Sequence, residues 1–343
     1  MEYQEFFQRI KADLKQALPE ELQNVEIGER QVDKLQGLSY YGLEIKPAGS
    51  RMSMTMDLRS FYGAGVDESN YDEVLGSVAT EVVENIELPA KNQIEKLVDY
   101  EAMKDTLFVQ MIGKEGNEEM LAKIPHRYFE DLALVYRFKI NVAEGMMMSA
   151  LITDAALKKY GITEEQLHED ACRNMVEQDS MVIMSLNDMI AKLTGIPASE
   201  LPLHPGAVPL YVATNQERKF GAAVMEHPDF AKVASEKLGG DFFIIPSSLH
   251  EILLLPDDGC IELEEIEAMV QEINATRVPP EERLSNTVYH YDTEVGKLET
   301  ARGYEKRIEL ERKSVLEALK DKKMSVSEIK KEMPKIRKAE MTL

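Results

Sequence analysis

Tryptophan is absent from the chain, and cysteine occurs only at Cys172 and Cys260 among 343 residues. Two isolated cysteines build neither a disulfide framework nor the thiolate set of a structural zinc site, and they predict a reducing, cytoplasmic setting. Histidine is scarce as well. His126, His168, His204, His227, His250 and His290 show no H-x-x-x-H or H-E-x-x-H spacing, so no metal is expected. No apolar run approaches the roughly 20 residues that a membrane span needs. The opening Met1-Glu-Tyr-Gln-Glu-Phe-Phe-Gln-Arg-Ile10 carries charge where a secretory leader needs an apolar centre. Neither membrane association nor export is therefore expected. Gly-rich phosphate loops are missing too. Tyr62-Gly-Ala-Gly65 lacks the remaining glycine and the lysine of the nucleotide fingerprints, and no cofactor is expected.

Positive charge is in deficit. Forty Lys and Arg face 62 Asp and Glu, a net charge of −22. From Ala301 onward, 13 Lys or Arg face 8 Asp or Glu, so that stretch carries +5 and the first 300 residues carry −27. Such a body repels phosphate backbones, which argues against direct nucleic-acid binding by it. Two readings of the acidity stay open: a solubilising surface, or a decoy for the basic groove of a nucleic-acid enzyme. The acids are interleaved with Lys and Arg, whereas a decoy concentrates them, and this favours the first.

What is present is most informative between Asp241 and Asp258. Two short apolar runs, Phe242 to Ile245 and Ile252 to Leu255, flank a polar break opened by Pro246. Runs of this length bounded by turn formers read as fully buried strands. Pro246 has no amide hydrogen for a ladder, so it ends the first strand and turns the chain. Elsewhere, Phe6, Phe7, Ile10, Leu14 and Leu18 recur at helical spacing until Pro19. Strand-like segments around Val25–Val32, Leu38–Ile45 and Met52–Asp57 follow, with turns at Gly28, Gly37 and Pro47-Ala-Gly49, and read as an antiparallel meander. Asp67 to Glu87 reads as a helix with Val74, Val78, Val82 and Ile86 on one face, ending near Pro89, and Asn92 to Tyr100 as another. Leu107–Ile112, Leu132–Ile140 and a run from Gly145 to Ile152 read as strands, the last two as a hairpin. Thr153 and Thr163-Glu-Glu-Gln166 read as helix N-caps, and Gly161 as a helix stop. Pro197 to Pro209 is an irregular connector. Later segments give a strand at Leu210–Ala213, helices at Pro228–Leu238 and Glu262–Asn274, and a strand at Thr287–Tyr291. Gly303 to Lys323 is a charged helix with a thin apolar stripe of Ile308, Val315, Leu316 and Leu319, which predicts a projecting tail.

The candidate chemistry is sparse. Ser247, Ser248, His250 and Glu251 sit together after Pro246, where a nucleophile, a base and an orienting carboxylate are conceivable. Hydroxyls after a proline are also ordinary turn residues, and a hydrolase serine sits in an elbow such as G-x-S-x-G with its histidine far away. The turn reading is favoured. His290 and Asp292 share a strand face and suit either a chelating pair or a hydrogen-bonded one. Asn215 and Arg218, just past a strand end, suit a ligand or a turn. Cys172 falls in a helical pattern as a small apolar side chain, and the Met146-Met-Met148 run, among nineteen methionines, reads mainly as core.

Five segments resemble the domain-of-unknown-function 5688 family of clostridial and related Gram-positive bacteria. They are Ile124-Pro-His-Arg-Tyr-Phe-Glu-Asp-Leu-Ala133, Asn215 with Phe220-Gly-Ala-Ala223, Gly240-Asp-Phe-Phe-Ile-Ile-Pro-Ser-Ser-Leu-His-Glu251, Leu284-Ser-Asn-Thr-Val-Tyr-His-Tyr-Asp292, and Ile152-Thr-Asp-Ala-Ala-Leu157 running into Ile162 and Ala171-Cys-Arg-Asn174. The likeness covers roughly residues 1 to 300, and the Pro-Ser-Ser-x-His-Glu segment is its most specific part. A weaker likeness, over 152–174 and 240–255, is to the uncharacterised family numbered 1444. Neither resemblance brings a catalytic set. The first implies a setting among accessory and mobile-element genes, and Glu311–Lys320 is similar to the ends of other proteins of such elements.

The expectation is an α+β protein: a mixed, largely antiparallel sheet covered by helices, with a charged C-terminal helical tail. Residues 1–150 and 151–300 are read as two α+β parts, the second holding the strand pair 241–255, with the tail at 301–343. The expected function is that of an accessory or binding protein docking an unknown protein partner through residues 301–343. The alternatives are a hydrolase using Ser247 or Ser248 with His250, and an acidic inhibitor of a nucleic-acid enzyme.

Overall fold

Phe6, Phe7, Ile10 and Leu14 bury one face of helix α1 (Tyr3–Ala17), which ends in an extended residue, Leu18, before Pro19. The structure is a computed structural model and describes residues 1–35, 37–48, 53–63, 65–86, 96–143, 146–178, 180–200, 209–246 and 248–332. Readings on Gly49, Pro89, Asn92, Gly145, Ser247, most of the Pro197–Pro209 connector and the tail beyond Glu332 lie outside these residues. After α1 comes the expected meander: β1 (Glu26–Asp33), β2 (Ser39–Lys46) and β3 (Met54–Met56), antiparallel throughout. Helix α2 (Tyr71–Ile86) buries Val78, Ala79 and Val82. These side chains, with Leu43 and Ile45 of β2 and the apolar face of α1, make one hydrophobic cluster.

A second antiparallel sheet follows. Its long strand β6 (Leu132–Ala143) pairs along one edge with β4 (Leu107–Gly113), and along the other with β5 (His126–Phe129) and then β7 (Met146–Leu151). Thr153 caps α3 (Asp154–Tyr160) by accepting from the Ala156 amide at 3.2 Å, and Gly161 closes it in the left-handed conformation. Thr163 likewise accepts from the Gln166 amide at 3.1 Å to open α4 (Glu164–Gln178). Both caps were legible in the sequence.

The third sheet holds β8 (Met181–Ser185), β9 (Tyr211–Asn215), β10 (Phe242–Ile245), β11 (Ile252–Pro256), β12 (Tyr289–Asp292) and β13 (Lys297–Thr300). Their spatial order is β13-β12-β10-β11-β9-β8, every pair antiparallel. Helices α5 (Leu186–Thr194), α6 (Phe230–Leu238), α7 (Leu263–Thr276) and α8 (Ala301–Glu332) are the remaining described α-helices longer than a single turn, and single turns lie at Arg59–Tyr62, Tyr100–Met103 and Glu118–Leu121. The fold class is the expected α+β, with antiparallel sheets flanked by helices. Its strands are divided among three sheets, and among the described strands no parallel pair occurs.

The Asp241–Asp258 stretch shows why both runs are continuously apolar. Successive side chains of β10 point to opposite faces, and both faces are covered. Phe242 and Ile244 enter a large cluster shared with β4, β6 and α4, where Met111, Tyr136, Phe138 and Leu167 lie. Phe243 and Ile245 join Leu255 under α7, against Leu263, Ile266 and Val270. A strand buried on both sides has no polar face to show.

The second and third sheets are joined at the β5–β6 hairpin. Glu130 sits there at a left-handed φ of 54°, and the Asp131 carboxylate accepts from Ser285 Oγ at 2.5 Å, Thr287 Oγ1 at 2.7 Å and the Tyr289 hydroxyl. β5, β8, β13 and α5 were not legible in the sequence. β5 and β13 are four residues long and largely polar, and β8 runs directly into α5, whose N-cap is Ser185 itself. Gly296 before β13 and Gly195 after α5 are turn signals, but none of the four has a periodic run of useful length. No described helix is long and apolar enough to cross a membrane.

Candidate functional site

The sequence candidates sort into two groups. The first surrounds the end of β9. Asn215 is buried, and its side chain closes a short loop: Oδ1 accepts from the Lys219 amide at 3.2 Å, and Nδ2 donates to the Lys219 carbonyl at 2.9 Å. Within the loop Arg218 and Phe220 hold left-handed backbones, φ 54° and 55°. For residues with a Cβ such angles cost on the order of 1 kcal/mol each and persist only where neighbours impose them. Here the neighbour is the 248–251 turn. Gly221 passes so close to it that a Cβ would lie 2.6 Å from the His250 carbonyl and 2.8 Å from the Asn215 amide nitrogen, and would overlap Thr214 Oγ1. Thr214 Oγ1 donates to that same carbonyl at 2.7 Å, and the Ala222 amide to the Leu249 carbonyl at 3.2 Å.

His250 belongs to this assembly through its ring. Nδ1 accepts from the Phe220 amide at 3.3 Å, which places the ring proton on Nε2, 3.6 Å from Glu282 Oε1. The ring stacks on Phe220 at 5.7 Å, and Phe220 stacks in turn on Phe108 at 5.8 Å. Ser248 is buried, and its Oγ accepts from the His250 amide at 3.1 Å, the bond of a hydroxyl that shapes a turn. Glu251 is half-buried at the entry to β11.

A cleft of about 510 Å³ opens beside the loop, between the start of β4 (Leu107, Phe108), the end of α4 (Asn174, Gln178) and Asn215 with Phe220. Lys139 and Glu217, which form an ion pair, also line it. Asn174 is spent on the wall, donating to the carbonyls of Lys104 at 2.7 Å and Leu107 at 2.9 Å. A more open depression of about 620 Å³ lies along β8 and α5.

The second group is the root of α8. His290 is fully buried; its Nε2 lies 2.9 Å from Asp257 Oδ2 and its ring stacks on Tyr304 at 3.8 Å. Nδ1 has no partner among the described residues. Asp292, two residues on and on the same face, accepts from Arg307 Nη2 at 2.7 Å and from the amides of Glu294 and Val295. Arg307 also donates to Glu299 at 2.7 Å, and Lys297 meets the other Glu299 oxygen at 2.8 Å. Arg302 reaches back to Glu264 at 2.8 Å and Glu267 at 2.7 Å on α7. Gly303 lets the helix start close to β13, since a Cβ there would lie 2.9 Å from Thr300 Oγ1.

The charges at the root are held by their partners. The Arg307 guanidinium keeps the Asp292 carboxyl below its ordinary range. The hydrogen bond from His290 does the same for Asp257 against the effect of burial. Burial works to raise Glu299, but the bonds from Lys297 and Arg307 outweigh it and the carboxyl is lowered. His290 and Asp292 thus share a face, as their spacing indicated, and each is engaged by α8 through Tyr304 and Arg307 at i, i+3. Nothing in the sequence marked Asp257, Tyr304 or Arg307 as their partners. Beyond the root the helix leaves the body: Leu310, Val315, Leu316 and Leu319 are each more than half exposed, at 66%, 58%, 56% and 54%.

Cys172 differs from its expected role as a small core side chain. It is half-buried on α4 with Sγ 3.4 Å from His168 Nε2, and His168 Nδ1 lies 3.0 Å from the Tyr136 hydroxyl. Burial, helped by Glu226, raises the thiol, and burial with Arg127 lowers the imidazole, so both groups are neutral at neutral pH. Cys260 is exposed, its thiol raised by Asp258. Among the described residues no group of three or more His, Cys, Asp or Glu is placed to hold a metal ion.

The model of a family of unknown function, DUF5688, matches residues 3–293. That span includes both groups of candidates except the β13 and α8 sides of the root. No curated protein and no solved structure matches the chain.

Proposed function

We propose, from the premise that the chain belongs to DUF5688, a family of unknown function, that it is an accessory protein acting through protein–protein contacts, with α8 as the arm that meets its partner. One observation carries this reading: a 32-residue helix is bolted to the body through its first two turns and then presents four large apolar side chains to solvent. Apolar side chains exposed along one projecting element are the ordinary signature of an interaction site. The root spends Arg302, Tyr304 and Arg307 on holding the helix at a set angle. The mobile-element setting implied by the resemblance fits such a role.

The hydrolase reading draws less support, because Ser248 Oγ accepts the amide of His250 and Nδ1 of His250 accepts the amide of Phe220. The acidic-inhibitor reading needs a free carboxylate ridge, whereas Glu264, Glu267, Asp292 and Glu299 are engaged by Arg302 and Arg307. The test uses the full-length chain with and without Val315→Glu, Leu316→Glu and Leu319→Glu as bait. Partners captured by the parent and lost with the variant are expected; identical partner sets would remove the arm's role.

A further inference from the structure

Arginine in this protein is commonly answered by carboxylate. Arg9, Arg59, Arg127, Arg173, Arg302 and Arg307 each place a nitrogen 2.5 to 2.7 Å from an Asp or Glu oxygen. Arg137, in the middle of β6, forms no ion pair among the described residues. Its Nε donates to Ser149 Oγ on β7 at 2.9 Å, which orients the guanidinium, and neither Nη group has a partner among the described residues. The side chain is half-buried, and burial pulls its pKa below the ordinary arginine value with no carboxylate to offset it. A guanidinium stays charged at any ordinary pH, and a charge withdrawn from water without a partner costs stability. In a chain with 62 acidic residues to draw on, a cation left unanswered in this way is available to an anion from outside.

The strand register connects this cation to a cavity. Phe108 stands directly across the ladder from Arg137, and Ser149 across from Lys139. Residues paired in this way, and residues two apart on a strand, share a face, so Phe108, Arg137, Lys139 and Ser149 lie together. Phe108 and Lys139 also line the cleft of about 510 Å³, an ordinary size for a small-molecule site. Lys139 is already answered by Glu217, which leaves Arg137 as the open cation of this face. At Phe108 the cleft wall is flat and apolar, continued by the Phe220 ring stacked on it at 5.8 Å. We propose that the cleft takes a small organic anion, its flat apolar part against Phe108 and Phe220 and its carboxylate or phosphate on the Nη groups of Arg137. A guanidinium fork meets either oxyanion through two parallel bonds. The site goes beyond the α8 arm and does not depend on it, so either reading can fail alone.

The experiment titrates the full chain with benzoate, phenyl phosphate, neutral benzamide and inorganic phosphate, by calorimetry at constant ionic strength. Saturable binding of benzoate or phenyl phosphate is expected, and whichever binds tighter identifies the oxyanion. Benzamide and inorganic phosphate should each bind about tenfold more weakly or not at all, since one lacks the charge and the other the ring. Arg137→Met should weaken the bound acid by about tenfold or more. The same variant, free of ligand, should melt no lower than the parent, because methionine fills the space of the stem without an uncompensated charge. A lower melting temperature would make Arg137 a prop of the β6–β7 hairpin and overturn the inference. Binding that survives Arg137→Met, equal binding of benzamide or inorganic phosphate, or no saturable binding of either acid would overturn it as well.

Discussion

At the loop from Asn215 to Gly221, buried polar groups are answered by backbone: Asn215 takes the amide and carbonyl of Lys219, His250 takes the amide of Phe220, and Thr214 takes the carbonyl of His250. At the root of α8 they are answered by charged side chains from another element, Arg307 to Asp292 and Glu299, and Arg302 to Glu264 and Glu267. The two solutions differ in what disturbs them. Backbone partners neither titrate nor screen, but they demand close packing. Charged partners tolerate a looser fit, yet they respond to pH and, where exposed, to salt.

Packing should therefore dominate at the loop. Gly221→Ala puts a methyl group into the His250 carbonyl and the Asn215 amide, and a loss of about 3 kcal/mol or more is expected in denaturant unfolding. An unchanged midpoint would break this side of the comparison. At the root, Arg307→Ala leaves Asp292 and Glu299 without their shared cation, and a clear loss of stability, smaller than that of Gly221→Ala, is expected. The loss should be local, read as faster hydrogen exchange across β12, β13 and the first turns of α8. Arg307→Lys should recover only part, since an ammonium lacks the planar fork that serves two carboxylates.

Acid separates the two regions without mutation. Asp292, Glu299 and Asp257 are held below their unfolded values, 3.8 for aspartate and 4.5 for glutamate. Groups depressed in the folded state add stability that is present above those values and lost as pH falls through the folded ones. Exchange protection at the root should thus drop first as pH is lowered from 7 to below 4, while the Lys219 amide, whose acceptor is the Asn215 side-chain oxygen, stays protected. Simultaneous loss at both places would remove the distinction. The smallest effect is expected at Arg302, whose side chain is 46% exposed. Arg302→Ala should shift the unfolding midpoint least of these variants, and less still at high salt.

The same contrast governs what could be read from sequence. Strands β10 and β11 were legible because a buried run and a proline are local signals, as were the caps at Thr153 and Thr163. Ser248 and His250 do meet, but through the His250 backbone amide and not ring to hydroxyl. His250 answers to Phe220, 30 residues earlier, and His290 to Asp257, 33 residues earlier. Such partners are set by the pairing of strands, which residue periodicity does not encode. Asn215 was legible as a strand end, but the two left-handed residues after it were not, since neither is glycine or asparagine.

The Asp131 hairpin bears on how the molecule is made. Its three hydroxyl donors arrive 154 to 158 residues later. A ribosome delivers the hairpin long before Tyr289, so through most of synthesis the nascent chain holds a half-covered sheet with an unanswered carboxylate at its tip. Contacts this remote close late and slowly, and they leave apolar surface open to misassociation meanwhile. A nascent chain stopped short of Ser285 keeps that seam open, which makes the interval before release the period when a holding chaperone matters most.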